Sequence, residues 1–212
     1  MFPEILTPGA RAFLRTAVVQ AASIREHFYL AWGTGLALHL GHRESQDLDF
    51  FSPDSFRIDP ILGFIREQDG KILIAEEGTI HAILQMVKVS FLYYPYPLIS
   101  SQEVYGETSV AGIPDIACMK FIAISQRGEK KDFYDIYELL HLYDLPQLKD
   151  MLLEKYGEDT MNIYHIGKSL LYFDEAEETP TPRSHKDLEW ETVKTFLRSH
   201  SEEIAEVFLK SQ

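Results

Sequence analysis

Apolar residues recur near helical spacing over residues 3–27, and this pattern predicts a helical opening to the chain. The next apolar run, at 28–32, is short and continuous, which is typical of a buried strand. A short helix from Gly33 to Leu40 should then stop at Gly41, because glycine favours the left-handed conformation that ends many helices. A second strand is predicted at 47–51. The N-terminal part therefore combines helices with strands.

Turn residues divide the following stretch into one helix and several strands. The helix is predicted to follow the turn at Ser52–Asp54 and to run to about residue 68. Gly70 and Gly78 mark tight turns between the strands that come next. These strands are predicted at 71–75, 79–84, 86–93 and about 108–111.

From residue 113 onward the hydrophobic pattern is helical. Helices are predicted at about 115–127, 131–142, 146–156, 161–173 and 187–210. The segment 177–184, which contains two prolines, is predicted to be a loop. These elements predict an α+β protein, with a mixed sheet flanked by helices in residues 1–112 and a helical part in residues 113–212.

The composition is that of a folded protein without a membrane span. The chain has 212 residues, 45% of them hydrophobic, which suffices for a sizeable core. No stretch approaches the roughly 20 apolar residues of a membrane helix, and the N-terminus lacks the pattern of a signal peptide. Cys118 is the only cysteine, which fits a reducing compartment. We therefore expect a cytoplasmic protein.

The net charge of −13, from 33 acidic and 20 basic residues, argues against a general nucleic-acid-binding surface. A nucleic acid would have to bind at a local basic region. The candidates for that region are Lys120, Arg127, Lys130 and Lys131. A solvated helix end is the alternative explanation of these charges, and without further motifs it is the preferred one.

Asp47 and Asp49 lie two residues apart in an apolar run. Residues at this spacing share one face of a strand, and two carboxylates on one face repel each other unless a cation offsets their charge. Gly33 and Thr34 form a small-residue turn upstream, at a helix start that suits a phosphate. The combination predicts a divalent metal that holds a nucleoside triphosphate, and solvated surface carboxylates are the alternative.

Further charged residues lie on the predicted helices. Asp115 and Lys120 share one helix, and Asp132 and Asp135, three residues apart, share one face of the next. Helix capping and surface charge are the alternatives to a functional role for these residues. The histidines show neither HxxxH nor HxH spacing, so a zinc site is poorly supported.

Two segments combine these residues into a longer motif. They are WGTGLALHLGHRESQDLDFF at 32–51 and DIACMKFIAISQRGEKKDFYDIY at 115–137. Together they resemble the AbiEii/AbiGii-type toxins, a nucleotidyltransferase family of the DNA-polymerase-β-like superfamily. The family pattern is a small-residue turn, then GHR and DLDF, followed by a helix pair with D-x4-K and (K/R)D-x-x-D. The resemblance spans roughly residues 25–145 and implies a nucleotidyltransferase-like fold whose cleft is completed by residues 113–212.

The resemblance also implies a role for individual residues. Asp47 and Asp49 would bind Mg²⁺, which suits a reaction that depends on positioning and charge neutralisation. The implied catalytic residues are Asp47, Asp49, Lys120 and Asp135. The implied nucleotide-binding residues are Gly33, Thr34, Arg43, Lys88, Lys120 and Asp132.

One position departs from the family pattern. The family's K-x-D strand motif corresponds here to Lys88-Val89-Ser90, and a serine cannot replace a carboxylate as an anionic ligand. Glu76 or Glu77, near a neighbouring strand, is the alternative source of a third carboxylate.

The first functional hypothesis is therefore a Mg²⁺-dependent nucleotidyltransferase. It would transfer a nucleotide from an NTP to an RNA, such as a tRNA, or to a protein, as the toxin of a toxin–antitoxin or phage-defence system with a cognate antitoxin. The second hypothesis, motivated by Ser90 and the negative charge, is a catalytically degenerate member that binds a nucleotide or a partner protein. A purely structural interaction module is the third, and it leaves the two motif segments unexplained.

Overall fold

The computed structural model describes residues 1–210, apart from the side chains of residues 16, 17, 19, 20 and 23. The chain forms two compact units, an N-terminal unit of Met1–Gly112 and a C-terminal unit that begins at Ile113. The N-terminal unit combines a mixed sheet with helices, and the C-terminal unit is helical. The predicted α+β class is confirmed.

The helical opening of the chain is divided into separate pieces. A 3₁₀ turn at Pro3–Ile5 precedes the first helix, whose start is capped by the Thr7 side chain, which accepts a hydrogen bond from the Ala10 N–H at 3.2 Å. Ala21 leaves the helical conformation and separates the first two helices. The helices of the N-terminal unit are α1 (Pro8–Gln20), α2 (Ala22–Arg25), α3 (Trp32–Leu40) and α4 (Ile58–Glu67).

The strands of the described N-terminal unit form one seven-stranded sheet in the order β3-β4-β5-β2-β1-β7-β6. Their bounds are β1 (Tyr29–Leu30), β2 (Leu48–Ser52), β3 (Lys71–Glu76), β4 (Thr79–Leu84), β5 (Val87–Tyr93), β6 (Glu103–Tyr105) and β7 (Thr108–Val110). The β2–β5 and β1–β7 pairs are parallel and the others are antiparallel. The predicted strands are present, and β6 is an additional one. Its three residues are largely exposed, so the sequence has no apolar run there that would predict a strand.

The core of the N-terminal unit lies on one face of the sheet, where α1 and α4 contribute apolar side chains. Phe50 on β2 and Phe91 on β5 are fully buried, and their rings stack with centroids 5.4 Å apart. Phe13 of α1 meets Phe64 of α4 edge to face. Because side chains alternate along a strand, the residues between the buried ones point to the opposite, more polar face.

The C-terminal unit is built of helices. They are α5 (Ile113–Gln126), α6 (Lys130–Leu139), α7 (Leu145–Tyr156), α8 (Ile163–Ser169), α9 (Asp174–Glu177), α10 (Trp190–Ser199) and α11 (Ser201–Ile204), followed by a π-helical turn at Ala205–Leu209. Helix α5 packs against α6, α7 and α8. The predicted helix at 187–210 is in fact divided at His200, whose backbone is not helical. Among the described residues, the helices are too short or too polar to span a membrane.

Candidate functional site

Asp47 and Asp49 mark the polar face of the sheet. Asp49 lies on β2 and Asp47 immediately precedes this strand, and both are partly buried. Leu48 and Phe50, which alternate with them, are fully buried in the core. Strand periodicity therefore directs the two carboxylates to the face opposite the core.

Ser90 is the direct neighbour of Asp49, because the parallel register of β2 and β5 pairs these two residues. On the other side of β5, the antiparallel register pairs Ser90 with His81 of β4. The Nδ1 atom of His81 lies 3.0 Å from the Ser90 hydroxyl oxygen, within hydrogen-bonding distance. Asp49, Ser90 and His81 thus form a row across three adjacent strands. The sequence analysis did not single out His81, because only the strand register brings it to this row.

The two glutamates proposed as a third carboxylate lie outside this row. Glu76 is at the end of the edge strand β3, where it pairs with Thr79 and is exposed. Glu77 is in the turn that follows, and it is also exposed. The place beside Asp49 is therefore taken by a hydroxyl group and an imidazole.

The start of α3 is built around Thr34. Its side chain is 1% exposed, and the hydroxyl bonds with the Ser45 hydroxyl at 2.7 Å and donates to the Asp47 carbonyl oxygen. The hydroxyl therefore supports the segment that carries Asp47. Trp32 opens the helix with a φ of 54°, an unusual value for a residue other than glycine. Gly33 follows in the first turn, where backbone N–H groups have no partner within the helix.

Arg43 and Lys88, the other two predicted nucleotide contacts in the N-terminal unit, differ in exposure. Arg43 is 3% exposed, and its Nη1 donates to the Glu44 carbonyl oxygen at 3.1 Å. Lys88 is exposed on β5, on the same face as Ser90. Since Leu48 pairs with Val89, Lys88 is level with Asp47 on the neighbouring strand. Lys88 thus places a positive charge near the acidic pair.

The polar sheet face offers two carboxylates to a metal ion. Mg²⁺ is commonly bound by one or two carboxylates together with substrate phosphates, and Asp47 and Asp49 provide the two carboxylates. Within the described residues, no group of three or more His, Cys, Asp or Glu side chains is arranged to hold a metal. Two carboxylates would leave the remaining coordination positions of a Mg²⁺ ion to other oxygen ligands.

The C-terminal unit brings three of the predicted residues together. The Lys120 ammonium lies 2.9 Å from Asp132 Oδ1 and 2.6 Å from Asp135 Oδ2, and all three side chains are almost completely buried. Arg127 Nε lies 3.3 Å from the other oxygen of Asp132. Burial alone would raise the pKa of Asp132, but the charges of Lys120 and Arg127 outweigh it, so this pKa lies below its ordinary value. The surface-charge alternative for these three residues is wrong.

Asp115 is also buried, in an ion pair that the sequence analysis missed. Its Oδ1 accepts a hydrogen bond from Lys155 Nζ of α7 at 2.7 Å, and neither side chain has measurable exposure. Asp115 lies in the first turn of α5, where a helix cap was the alternative to a functional role. Lys155 continues the spacing of Leu148 and Leu152, which form the buried side of α7, and this pattern could have revealed its burial.

The basic region near the start of α6 is largely neutralised. Lys120 is buried, and Lys131 and Arg127 both pair with Glu129, at 2.7 and 3.7 Å. Lys130 is 9% exposed and donates to the Glu177 carbonyl oxygen at 3.2 Å. These contacts leave little free positive charge for a nucleic acid on this segment.

The structure thus places Asp47, Asp49 and Lys88 on one sheet face, with Thr34 bonded to the Asp47 segment, and it places Lys120, Asp132 and Asp135 together in the core of the C-terminal unit. That both groups face a single cleft stays a prediction.

Comparisons with known proteins place this geometry in context. A family model described as "Nucleotidyl transferase AbiEii toxin, Type IV TA system" matches residues 13–207. The uncharacterized protein aq_aa25 of Aquifex aeolicus (strain VF5) is 38% identical over 200 residues, which cover 89% of this chain and 93% of that protein.

Two solved structures share the fold. MenT4, a nucleotidyltransferase toxin from Mycobacterium tuberculosis H37Rv, superposes with a TM-score of 0.52 at 13% identity, over 96% of this chain and 94% of that one. The antibiotic-resistance factor ANT(2'')-Ia superposes with a TM-score of 0.50 at 11% identity, over 65% of this chain and 86% of that one.

Proposed function

Because the chain belongs to the AbiEii family of nucleotidyltransferase toxins, we propose that it transfers a nucleotide from an NTP to an RNA or protein acceptor in a Mg²⁺-dependent reaction. The observation that carries this proposal is the position of Asp47 and Asp49 on one polar sheet face, where Thr34 at the start of α3 bonds to the Asp47 carbonyl oxygen. The chain would act in the cytoplasm as the toxin of a toxin–antitoxin or phage-defence system, with a cognate antitoxin.

The predicted residues of the N-terminal unit have separate tasks in this proposal. Asp47 and Asp49 would hold the magnesium ion, and backbone N–H groups of Gly33 and Thr34 would bind phosphate oxygens. When bound, the ion would neutralise charge that develops on the phosphates during transfer. Lys88 would add positive charge beside Asp47. Thr34, whose hydroxyl is bonded within the protein, would act through the position of the Asp47 segment.

The C-terminal cluster of Lys120, Asp132 and Asp135 would hold α5 and α6 in a fixed relation. A direct contact of Lys120 with a phosphate would require its ammonium to leave a carboxylate at 2.6 or 2.9 Å. We therefore favour a positioning role for this cluster over the phosphate contact that the motif implies.

The proposed acceptor touches only a small part of the surface. A net charge of −13 opposes a long RNA footprint, and the basic residues near α6 are paired with carboxylates. An RNA end, such as that of a tRNA, or a protein side chain would meet this requirement.

The proposal can be tested by label transfer. The purified chain would be incubated with each labelled NTP, Mg²⁺ and either total RNA or total protein, beside the double variant Asp47→Ala/Asp49→Ala. Asp54→Ala, which removes an exposed carboxylate shortly after β2, is the matched control. We expect transfer by the wild type and the control only. Equal transfer by the double variant would exclude the proposed site.

A nucleotide-binding member without turnover is the second candidate, and the serine beside Asp49 favours it. This candidate predicts saturable NTP binding in calorimetry that depends on Asp47 and Asp49, with no transfer to any acceptor. Measurable turnover that disappears in the double variant would exclude it.

A further inference from the structure

His81 belongs to the polar face of the sheet but has no task in the proposed function so far. It lies on β4, is partly buried, and has its Nδ1 atom 3.0 Å from the Ser90 hydroxyl oxygen on β5. Ser90 is in turn the register neighbour of Asp49 on β2. The histidine is therefore connected, through one serine, to the strand position of a proposed metal ligand.

The three side chains point to the same side of the sheet. Cross-strand partners share a face, and Asp49, Ser90 and His81 are successive partners across β2, β5 and β4. Each of the three has a sequence neighbour in a second row of cross-strand partners, and the residues of this second row are buried. These buried residues are Leu48, Val89 and Ala82. The row of three thus lies opposite the core, on the face where the triphosphate is proposed to bind.

We propose that His81 is the proton acceptor for the attacking hydroxyl of the acceptor molecule. This inference rests on the proposed nucleotidyl transfer and names the base for it. A serine hydroxyl cannot serve as a base at neutral pH, whereas an imidazole can. His81 would therefore supply the base that Ser90 cannot provide at this position of the sheet face.

The Ser90 hydroxyl is able to accept a hydrogen bond from His81 Nδ1, which is the arrangement that this task needs. When Nδ1 carries the proton and donates it to Ser90 Oγ, Nε2 keeps its lone pair. The same bond limits rotation of the ring. Ser90 would therefore be a positioning residue that acts through His81, and Nε2 would be the atom that receives the proton.

In the proposed transfer step, one bond to the α-phosphorus forms, another breaks, and one proton moves to His81. The acceptor oxygen forms a bond to the α-phosphorus, and the proton of its hydroxyl moves to His81 Nε2. The bond between the α-phosphorus and the oxygen that bridges to the β-phosphate breaks, and pyrophosphate leaves with the electron pair. The proton on Nε2 returns to solvent after product release.

Substitutions at His81 test the proposal directly. In His81→Asn, the amide can retain a hydrogen bond to Ser90 but places no group at Nε2. We expect kcat to fall by about 10²- to 10⁴-fold, the contribution of a general base, while the KM for NTP stays within about twofold. In His81→Ala, added imidazole should restore part of kcat. Thr79→Ala, two residues earlier on the same face of β4, is the control and should keep the wild-type kcat.

Ser90 provides a second, independent readout. Ser90→Ala should lower kcat by roughly tenfold through loss of ring orientation, a loss of about 1.4 kcal/mol. Ser90→Thr, which keeps the hydroxyl, should retain most of the activity. If Ser90 only stabilised the fold, Ser90→Ala and Ser90→Thr would differ in their unfolding midpoints but not in kcat.

A failure of the role of His81 and a failure of the proposed nucleotidyl transfer would give different results in these experiments. Wild-type turnover with an unchanged kcat in folded His81→Asn would overturn the role of His81 and leave nucleotidyl transfer intact. A folded His81→Ala variant that imidazole does not rescue would also overturn it. An inactive wild type with every acceptor would refute the proposed function and, with it, the base.

Discussion

The ammonium group of Lys120 lies 2.6 Å from the carboxylate of Asp135, and neither side chain is more than 1% exposed. This pair joins α5 to α6 inside the C-terminal unit. A buried ion pair is costly to break on one side only, because the remaining charge stays out of solvent and loses its closest countercharge. The contact therefore predicts a large effect on stability when the lysine is replaced.

Lys120→Met should destabilise the protein by about 3–5 kcal/mol, since it leaves the carboxylates of Asp132 and Asp135 buried near each other. Urea unfolding followed by circular dichroism measures this change. Lys131→Met, which removes a partly exposed lysine that pairs with Glu129, is the control and should cost at most about 1 kcal/mol. Similar losses in the two variants would contradict the structural role of Lys120.

Asp132 should contribute to acid unfolding. Burial raises its pKa, but Lys120 and Arg127 lower it further, so the folded pKa lies below the ordinary 3.8. Its stabilising contribution is thus complete above about pH 3.8 and is lost as the pH falls through the folded pKa. Below pH 3.8, Asp132→Asn should reduce the slope of unfolding free energy against pH by up to about 1.4 kcal/mol per pH unit.

Urea unfolding at a series of pH values between 2.5 and 6 checks this prediction. Asp150→Asn, at an exposed aspartate of α7, serves as the control and should keep the wild-type slope. Equal slopes in Asp132→Asn and the wild type would show that the folded pKa of Asp132 is not lowered.

Cys118 should be unreactive in the folded protein. The thiol is 1% exposed, and burial raises its pKa to about 12, so almost no thiolate is present at pH 8. Ellman's reagent should therefore label the chain slowly in buffer and rapidly, to one equivalent, in concentrated urea. Rapid labelling of the folded chain would mean that α5 opens readily around Cys118.

Lys88→Ala should weaken nucleotide binding more than catalysis. Its exposed ammonium is level with Asp47, on the face where the phosphates are proposed to bind. We expect the KM for NTP to rise roughly tenfold, or about 1.4 kcal/mol, with a smaller change in kcat. Lys71→Ala, at an exposed lysine on the edge strand β3, should leave both parameters unchanged. The same rise in KM for both variants would indicate a general charge effect.

Local patterns in the sequence predicted most elements of the fold. The 3.6-residue and two-residue periodicities located α3, β2, β4 and β5 closely, and Gly41, with a φ of 63°, ends α3 as expected. The prediction failed where local patterns are weak, as at β6, or where one periodic stretch is divided, as at His200. Short exposed strands and small changes in backbone direction depend on distant contacts that periodicity does not report.

The candidate site also combines relationships that are local in the sequence with relationships that depend on tertiary packing. Alternation along one strand was sufficient to place Asp47 and Asp49 on one face, because that relationship is local. The burial of Lys120 and Asp135, and the pairing of Asp115 with Lys155 across 40 residues of sequence, needed the packed helices.

The family, the α+β class and the acidic pair could be predicted from the amino-acid sequence, because they follow from motifs and from periodicities within single elements. The strand pairing was needed to show that Ser90 lies beside Asp49 and that His81 lies beside Ser90. Strand order and register arise from the packing of the whole sheet on its core, and a shift of one residue would turn each of these side chains to the other face.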